Sequence, residues 1–157
     1  MSIYIKFEGG KPPIRGGATK GKHIGWLELD SLSVSTSRSL GVSGSNGVTR
    51  TVGSGMASEV TGATSVPGAM RDLFDACAQG TSYTTVTIEF WKDGVDGPVL
   101  TYNLQDVFVT SVQFSSGGQV PSTMFSLSYA KVSYNIPGPP EGKSASLMQF
   151  DIDRALA

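Results

Sequence analysis

The chain has 157 residues, a formal net charge of −1 and only 16% charged residues. A chain of this length forms one domain with a substantial core, so we expect residues 1–157 to be a single domain. Because the net charge is close to zero and no basic run occurs, we expect neither nucleic acid nor a membrane surface as a partner. The 20 glycines and the scarcity of charge favour a β domain with glycine-rich connections.

The N-terminal segment alternates apolar and polar residues, with Ile3, Ile5 and Phe7 in the apolar phase. Strict alternation predicts a strand with one buried face. The segment lacks the basic region and apolar run of a signal peptide, so we expect a cytoplasmic product that does not use that pathway. A second, kinked strand is predicted from near His23 to Val34, where the apolar residues change phase.

Residues 39–55 form a low-complexity segment of glycines and serines without alternation. Such a long segment inside a compact domain is usually a functional loop or is disordered. We therefore predict a flexible, extended, glycine-rich loop that lies outside the core.

Residues 65–79 carry the one convincing helix pattern. Apolar residues recur at helical spacing and predict this buried face: Val66, Met70, Leu73, Phe74 and Cys77. Ser65 is the predicted N-cap, and Gly80 suits the left-handed residue after the helix. Cys77 is the only cysteine, which excludes an intrachain disulfide, and we expect it to be a small buried apolar residue.

The longest alternating pattern covers residues 99–136, with one turn at 115–118. Before the turn, the even positions are mostly apolar and predict the core face: Leu100, Tyr102, Leu104, Phe108, Val112 and Phe114. The odd positions are mostly polar: Thr101, Asn103, Gln105, Ser111 and Gln113. After the turn the phase slips by one residue, so we expect a β-bulge or a change of packing partner near Tyr129 and Ala130. Together with a strand over 83–92, the patterns predict six or seven strands around one helix.

No arrangement of residues in the sequence is typical of catalysis or of a metal or cofactor site. Residues 16–23 approach a phosphate-binding P-loop, but the final hydroxyl is replaced by His23 and a strand follows instead of a helix. His23 is the only histidine, and no Gly-x-Ser-x-Gly nucleophile elbow occurs. Trp26 and Trp91 could stack on a sugar or pack in a core or interface. We expect a protein that is not an enzyme, needs no cofactor and functions through contacts with other proteins.

Several segments resemble the Hcp family (haemolysin-coregulated protein), the tube proteins of type VI secretion systems. They follow the family's order over nearly the whole chain: residues 21–29, the glycine-rich loop, the helix ending at 73–80, residues 107–112 with the turn at 117–118, and residues 125–134. The last of these segments is the closest single match. The order and spacing of the segments carry the resemblance, since β-proteins reuse each pattern alone.

The resemblance implies a mainly β fold: a small antiparallel β-barrel with one flanking α-helix and an extended loop. It implies a tube subunit that forms homohexameric rings, which stack into a hollow tube. The implied partners are further copies of the chain, the secretion sheath, spike and baseplate proteins, and effector proteins that the tube carries or delivers. The implied route is export to the extracellular space or a target cell.

The resemblance also assigns roles to two sets of residues. The loop would reach a neighbouring subunit or ring through these residues: Arg38, Leu40, Val42, Asn46, Val48, Arg50 and Val52. The five polar residues of the 99–114 segment become candidates for the wetted lumen wall or for a seam between subunits.

Two other functions remain open from the residues. A phage-type tail-tube protein would share the barrel and the assembly physics. A β-sandwich module that binds a carbohydrate or another ligand through Trp26 or Trp91 would be a monomer with an exposed aromatic patch.

Overall fold

A computed structural model describes residues 1–19, 21–34, 36–43, 49–57, 59–117, 120–136 and 146–151 of the protein. Within these ranges the fold is mainly β, with one α-helix, α1 (Pro67–Gln79), and a single 3₁₀ turn at Gly21–His23. The strands are β1 (Ser2–Glu8), β2 (Leu27–Leu29), β3 (Ser31–Ser33), β4 (Thr36–Ser43), β5 (Thr49–Ala57), β6 (Val60–Thr64), β7 (Ser82–Trp91), β8 (Pro98–Ser115), β9 (Ser122–Ser128), β10 (Lys131–Ile136) and β11 (Ser146–Asp151). The predicted six or seven strands were too few, because the glycine-rich segment contains β4 and β5, the predicted second strand divides into β2 and β3, and β6 was not predicted.

Nine strands form one antiparallel sheet in the order β2-β1-β7-β8-β9-β6-β3, and β10 pairs with both β8 and β11. The end strands β2 and β3 do not pair, although only Asp30 separates them in sequence. Strand β6 connects them, because the Asp30 N–H donates to the Ala63 carbonyl (2.8 Å) and the Thr64 hydroxyl donates to the Glu28 carbonyl (2.9 Å). Over the described residues, the expected barrel is therefore an open antiparallel sheet whose ladder is not closed.

Helix α1 covers the inner surface of β8 and β9. Its buried residues are Ala69, Leu73 and Ala76, at the i, i+4, i+7 spacing of one helical face. The predicted face was rotated too far, because Phe74 follows Leu73 by about 100° around the helix and is 43% exposed. Cys77 lies half-buried against the core.

The ends of α1 confirm one predicted cap and correct the other. Gly80 is left-handed (φ 64°), and its N–H donates to the Cys77 carbonyl at 3.3 Å, as expected for a C-terminal glycine. The N-cap is Val66 rather than Ser65, and Pro67 begins the helix. The Ser65 hydroxyl instead donates to the Asp30 carboxylate at 3.3 Å.

Within the described residues, no helix is long and apolar enough to cross a membrane.

Four neighbouring positions form a line across the sheet where the strands change phase together. We call Gly9, Thr84, Asp106 and Ala130 the bend line. The strand registers place Thr84 opposite Asp106 and Ala130 on the other side of Asp106. Gly9 (φ 78°) and Asp106 (φ 53°) both adopt the left-handed conformation. A side chain on Gly9 would overlap that of Thr84, because an added Cβ would collide with the Thr84 hydroxyl oxygen.

The burial pattern shows what the bend line does. In β7 the core residues on its two sides are Tyr83 and Val86, and in β8 they are Leu104 and Val107. Two outward residues therefore follow one another between the core residues of each strand. Bulge-like phase changes of this kind bend a sheet locally and keep its hydrophobic face on the core.

The part of the 99–136 region after the turn behaves as its phase slip predicts. Strand β9 ends at Ser128 and β10 begins at Lys131, so the outer pairing partner changes from β6 to β11. The expected change of partner near Tyr129 and Ala130 is confirmed.

Strand β8, the part of the region before the turn, departs from the predicted even-numbered core face. Val107 and Val109 are buried, whereas Phe108 is 44% exposed on the outer face. A second irregularity follows at Thr110, where the register with β9 shifts between Val109 and Ser111. The two phase changes cancel, because Val112 again packs against the core.

Candidate functional site

The structure brings the five polar residues of β8 to one face, the side of the sheet that points away from the core. Thr101, Asn103 and Gln105 precede the bend line, and Ser111 and Gln113 follow the Thr110 bulge. Because the two phase changes cancel, the same face continues along the strand and also includes Phe108. Gln105, Ser111 and Gln113 are exposed, and Thr101 and Asn103 are half-buried.

The neighbouring strands extend this surface on both sides. Residues of β7 and β10 lie directly opposite the β8 residues in register, and we call the combined surface the polar face: Thr85, Thr87, Glu89, Thr101, Asn103, Gln105, Lys131, Ser133 and Asn135. The Thr87 hydroxyl lies 3.4 Å from the Asn103 amide oxygen. Only Glu89 and Lys131 carry formal charge, so this surface is wettable and almost neutral.

A cluster of aromatic side chains around His23 covers the same side of the sheet next to β1. We call it the outer cluster: Tyr4, His23, Trp26, Glu89 and Trp91. Tyr4 belongs to the polar phase of β1, yet it is only 7% exposed because the chain around the 3₁₀ turn lies over it. The Tyr4 and His23 rings stack at 4.2 Å between centroids with 10° between their planes.

His23 is the centre of the outer cluster and is 6% exposed. Its Nε2 lies 2.6 Å from Glu89 Oε2, and the same oxygen accepts a hydrogen bond from Trp91 Nε1 at 2.8 Å. The Trp26 and Trp91 rings contact the imidazole edge-on, with centroid distances of 4.9 and 5.1 Å. Glu89 therefore fixes the orientation of two aromatic rings and joins the 3₁₀ turn to β7.

The sequence interpretation did not find this cluster, although a signal was present. Tyr4, Glu89 and Trp91 occupy outward positions of their strands, where large aromatic side chains need cover. The two tryptophans, which were considered separately as sugar-stacking residues, meet at the same histidine. Among the described residues, no group of three or more His, Cys, Asp or Glu side chains is placed to hold a metal ion.

The β8–β9 hairpin extends past the covered part of the sheet and exposes apolar side chains near its tip. Phe114, Val120 and Met124 are 45%, 63% and 46% exposed. Gln113, one of the predicted polar residues, pairs directly with Met124. An exposed apolar tip on a long hairpin is typical of a surface that another protein covers.

The sequence predicted a flexible, extended loop over residues 39–55, and the structure contains the antiparallel strands β4 and β5 there. Among the described residues, these two strands pair only with each other, as a two-stranded sheet separate from the main one. Their register places Leu40 opposite Val52, Val42 opposite Arg50 and Arg38 opposite Gly55. Asn46 and Val48, the other two residues predicted to contact a neighbour, lie outside the described residues.

A family of known proteins matches this chain over most of its length. The model of the family described as "Type VI secretion system effector, Hcp" matches residues 4–136. The chain belongs to the Hcp family. The resemblance noted in the sequence is thereby confirmed.

Solved structures of Hcp proteins share the fold. A structure described as a type six secretion system protein is 23% identical, covers 98% of this chain and 97% of its own, and gives a TM-score of 0.80. Hcp1 from Salmonella typhimurium is 18% identical over 98% of this chain and 95% of its own, with a TM-score of 0.78. The secreted protein Hcp3 from Pseudomonas aeruginosa is 15% identical over 95% and 98%, with a TM-score of 0.69. No curated protein sequence matches the chain.

The match to the Hcp structures covers the β4–β5 hairpin and β8, which carry the two sets of residues predicted to contact a neighbour or to line the lumen. The shared fold is a main sheet that is one continuous antiparallel sheet over the described residues. As an Hcp protein, the chain is a type VI secretion tube subunit.

Proposed function

We propose that this Hcp-family chain assembles into homohexameric rings, which stack into a hollow tube that carries or delivers effector proteins. The role is structural rather than catalytic. The single observation that carries the proposal is the family match over residues 4–136. Sheath, spike and baseplate proteins are the other partners, and export through this apparatus takes the chain to the extracellular space or a target cell.

The polar face is proposed as part of the lumen wall rather than as a subunit seam. Burying uncompensated amides and hydroxyls is unfavourable, and interface centres are usually apolar. The polar face offers the opposite chemistry, because Gln105 is exposed and little charge is present to hold a passing protein, and the exposed Ser111 and Gln113 continue the same side of β8. In each subunit of such a ring, the main sheet would act as the wall of a small barrel. Strand β6 would hold its two end strands, β2 and β3, together.

The β4–β5 hairpin is proposed as the arm that contacts a neighbouring subunit or ring. Its strands make no ladder with the main sheet in the described part of the chain, so the hairpin is free to pair elsewhere. The contact residues would include Arg38, Leu40, Val42, Arg50 and Val52, together with Asn46 and Val48 of the connecting segment.

The native mass and a negative-stain image of the purified chain test the assembly. We expect a species of six subunits with a central hole, and stacked rings at high concentration. A strict monomer at high protein concentration contradicts the proposal.

Deletion of residues 41–53 tests the arm. Because β4 and β5 pair with no other strand in the described part of the chain, the main sheet should keep its circular-dichroism spectrum and its cooperative unfolding, while tubes disappear. Replacement of the same residues by a glycine–serine linker of equal length is the matched variant and should also fail to form tubes. Unchanged tubes in either variant would contradict the proposal that the β4–β5 hairpin contacts a neighbouring subunit or ring.

An introduced thiol distinguishes the lumen from the seam. In a Cys77→Ser background, Asn103→Cys should react with a small maleimide in assembled tubes but not with a bulky polymer-linked one. The same variant in dissociated subunits is the control and should react with both reagents. Protection from the small reagent in assembled tubes would instead place the polar face at a seam.

A further inference from the structure

A cavity of about 770 Å³ lies beside the outer cluster, between the start of β1, the end of β7 and the turn that follows β7. Its volume falls within the range of ~300–1,000 Å³ that is common for small-molecule sites. Tyr4, His23, Trp26, Glu89 and Trp91 all contribute to its wall. The cavity shares only Glu89 with the polar face and none of its lining residues with the β4–β5 hairpin.

Aromatic side chains form the apolar part of this wall. Trp26 and Trp91 are the only two tryptophans of the chain, and both are half-buried here. The Lys6 ammonium group lies 5.8 Å from the Trp26 ring centroid, so that ring already has a cation on it. Trp91 is held by its hydrogen bond to Glu89 and by the edge contact with His23, which makes it a pre-oriented platform.

Four exposed charged residues line the cavity, two lysines and two aspartates: Lys22, Lys92, Asp93 and Asp96. Glu89 adds a third carboxylate, but its Oε2 already accepts from Trp91 and contacts His23. The four exposed groups at the opening sum to zero formal charge, so neither a cationic nor an anionic ligand meets an excess of the opposite charge there.

We propose that this cavity binds a neutral sugar. The apolar face of a pyranose ring stacks on Trp91, because carbon–hydrogen groups pack favourably on an aromatic ring. Its hydroxyls donate to the carboxylates of Asp93 and Asp96 and accept from the ammonium groups of Lys22 and Lys92, so a neutral ligand uses both signs of charge.

Intrinsic fluorescence tests the site directly, because both tryptophans of the chain line the cavity. The full chain is titrated with cellobiose as the neutral probe, and with glucosamine and glucuronate as cationic and anionic probes. We expect a saturable change with cellobiose and at least a fewfold weaker binding of the two charged sugars. No saturable change, or tighter binding of a charged sugar, overturns the proposal.

Variants separate the site from general effects on the fold, with affinity measured by calorimetry. Trp91→Ala should weaken cellobiose binding by about fivefold or more, from the loss of the stacking platform. Asp93→Ala changes an exposed residue and should also weaken binding without loss of folding. Phe74→Ala, on the exposed side of α1, is the control and should bind as the wild type does. Wild-type affinity for cellobiose in both Trp91→Ala and Asp93→Ala would show that the sugar does not occupy this cavity.

Discussion

His23 Nε2 and Glu89 Oε2 lie 2.6 Å apart, although 66 positions separate the two residues in sequence. The contact joins the 3₁₀ turn to the outward face of β7. Tyr4 stacks below the imidazole, and the Trp26 and Trp91 rings close its sides. This small second core lies outside the main sheet and stabilises the polar segment that precedes β2.

Removal of the imidazole tests this role. His23→Ala should lower the free energy of unfolding by about 2–4 kcal/mol, because it empties a packed site and leaves Glu89 with one donor fewer. Glu89→Gln keeps the shape but weakens both contacts, and should cost about 1–2 kcal/mol. Urea unfolding measures both values. Lys22→Ala, an exposed neighbour of His23, is the control and should stay within about 0.5 kcal/mol of the wild type; an equal loss there would contradict a specific role for the imidazole.

The left-handed backbone of Asp106 gives a second prediction. Within the described residues, Asp106 is the only non-glycine residue with a positive φ (53°). Asp106→Val should cost about 1–2 kcal/mol, since a β-branched residue is strained in this conformation, whereas Asp106→Gly should be neutral or slightly stabilising. Gln105→Val, an exposed strand neighbour, is the control and should change the unfolding midpoint little. If valine were tolerated equally at both positions, the bend line would not depend on this conformation.

The sequence was sufficient for the elements with strong local patterns. Alternation located β1, β7 and the long 99–136 region, and the Gly80 cap ended α1 where the structure ends it. The phase slip at Tyr129 was visible because both flanking stretches are long enough to show opposite phases.

The features that were missed depend on contacts between distant segments. The phase change in β8 at Asp106 is followed by a second one at Thr110. The core-facing residues are therefore even-numbered both before the first change and after the second, and the alternation looks continuous in the sequence. Phe108 therefore looked like a core residue, although Val107 and Val109 take the core positions. The β4–β5 hairpin was missed because its glycines and serines give no alternation. The outer cluster required knowing that the 3₁₀ turn folds over β1.

Truncation of the two adjacent β8 residues tests the inward and outward assignment. Val107 is fully buried, so Val107→Ala should cost about 2–3 kcal/mol from lost burial and the space left behind. Phe108 is 44% exposed, so Phe108→Ala should cost about 1 kcal/mol or less despite removing the larger side chain. Thermal unfolding of the two variants gives the comparison. The even-numbered core face would predict the reverse order.

Tyr83 predicts a specific loss of stability at high pH. Its ring is fully buried, and its hydroxyl donates to the Pro12 carbonyl at 2.6 Å. Burial, with a smaller contribution from the nearby Asp72 carboxylate, raises the pKa of Tyr83 from 10.0 to about 12. Burial also raises the pKa values of Tyr102 and Tyr129, with smaller contributions from Tyr134 and Tyr102 respectively.

Because the folded pKa of Tyr83 is higher than the unfolded one, its contribution to stability is complete below pH 10 and is lost as the pH rises towards 12. A shift of this size corresponds to about 2–3 kcal/mol at most. Tyr83→Phe should therefore show a shallower decline of unfolding free energy between pH 10 and 12 than the wild type, together with a cost of about 1 kcal/mol at neutral pH for the lost hydrogen bond. Thr81→Ala is the matched control, because it removes a neighbouring hydrogen bond to the Lys11 carbonyl (2.9 Å) but no phenol, and it should keep the wild-type slope. Urea unfolding across this pH range measures the slopes, and identical slopes in Tyr83→Phe and the wild type would mean that Tyr83 ionises equally in the folded and unfolded chains.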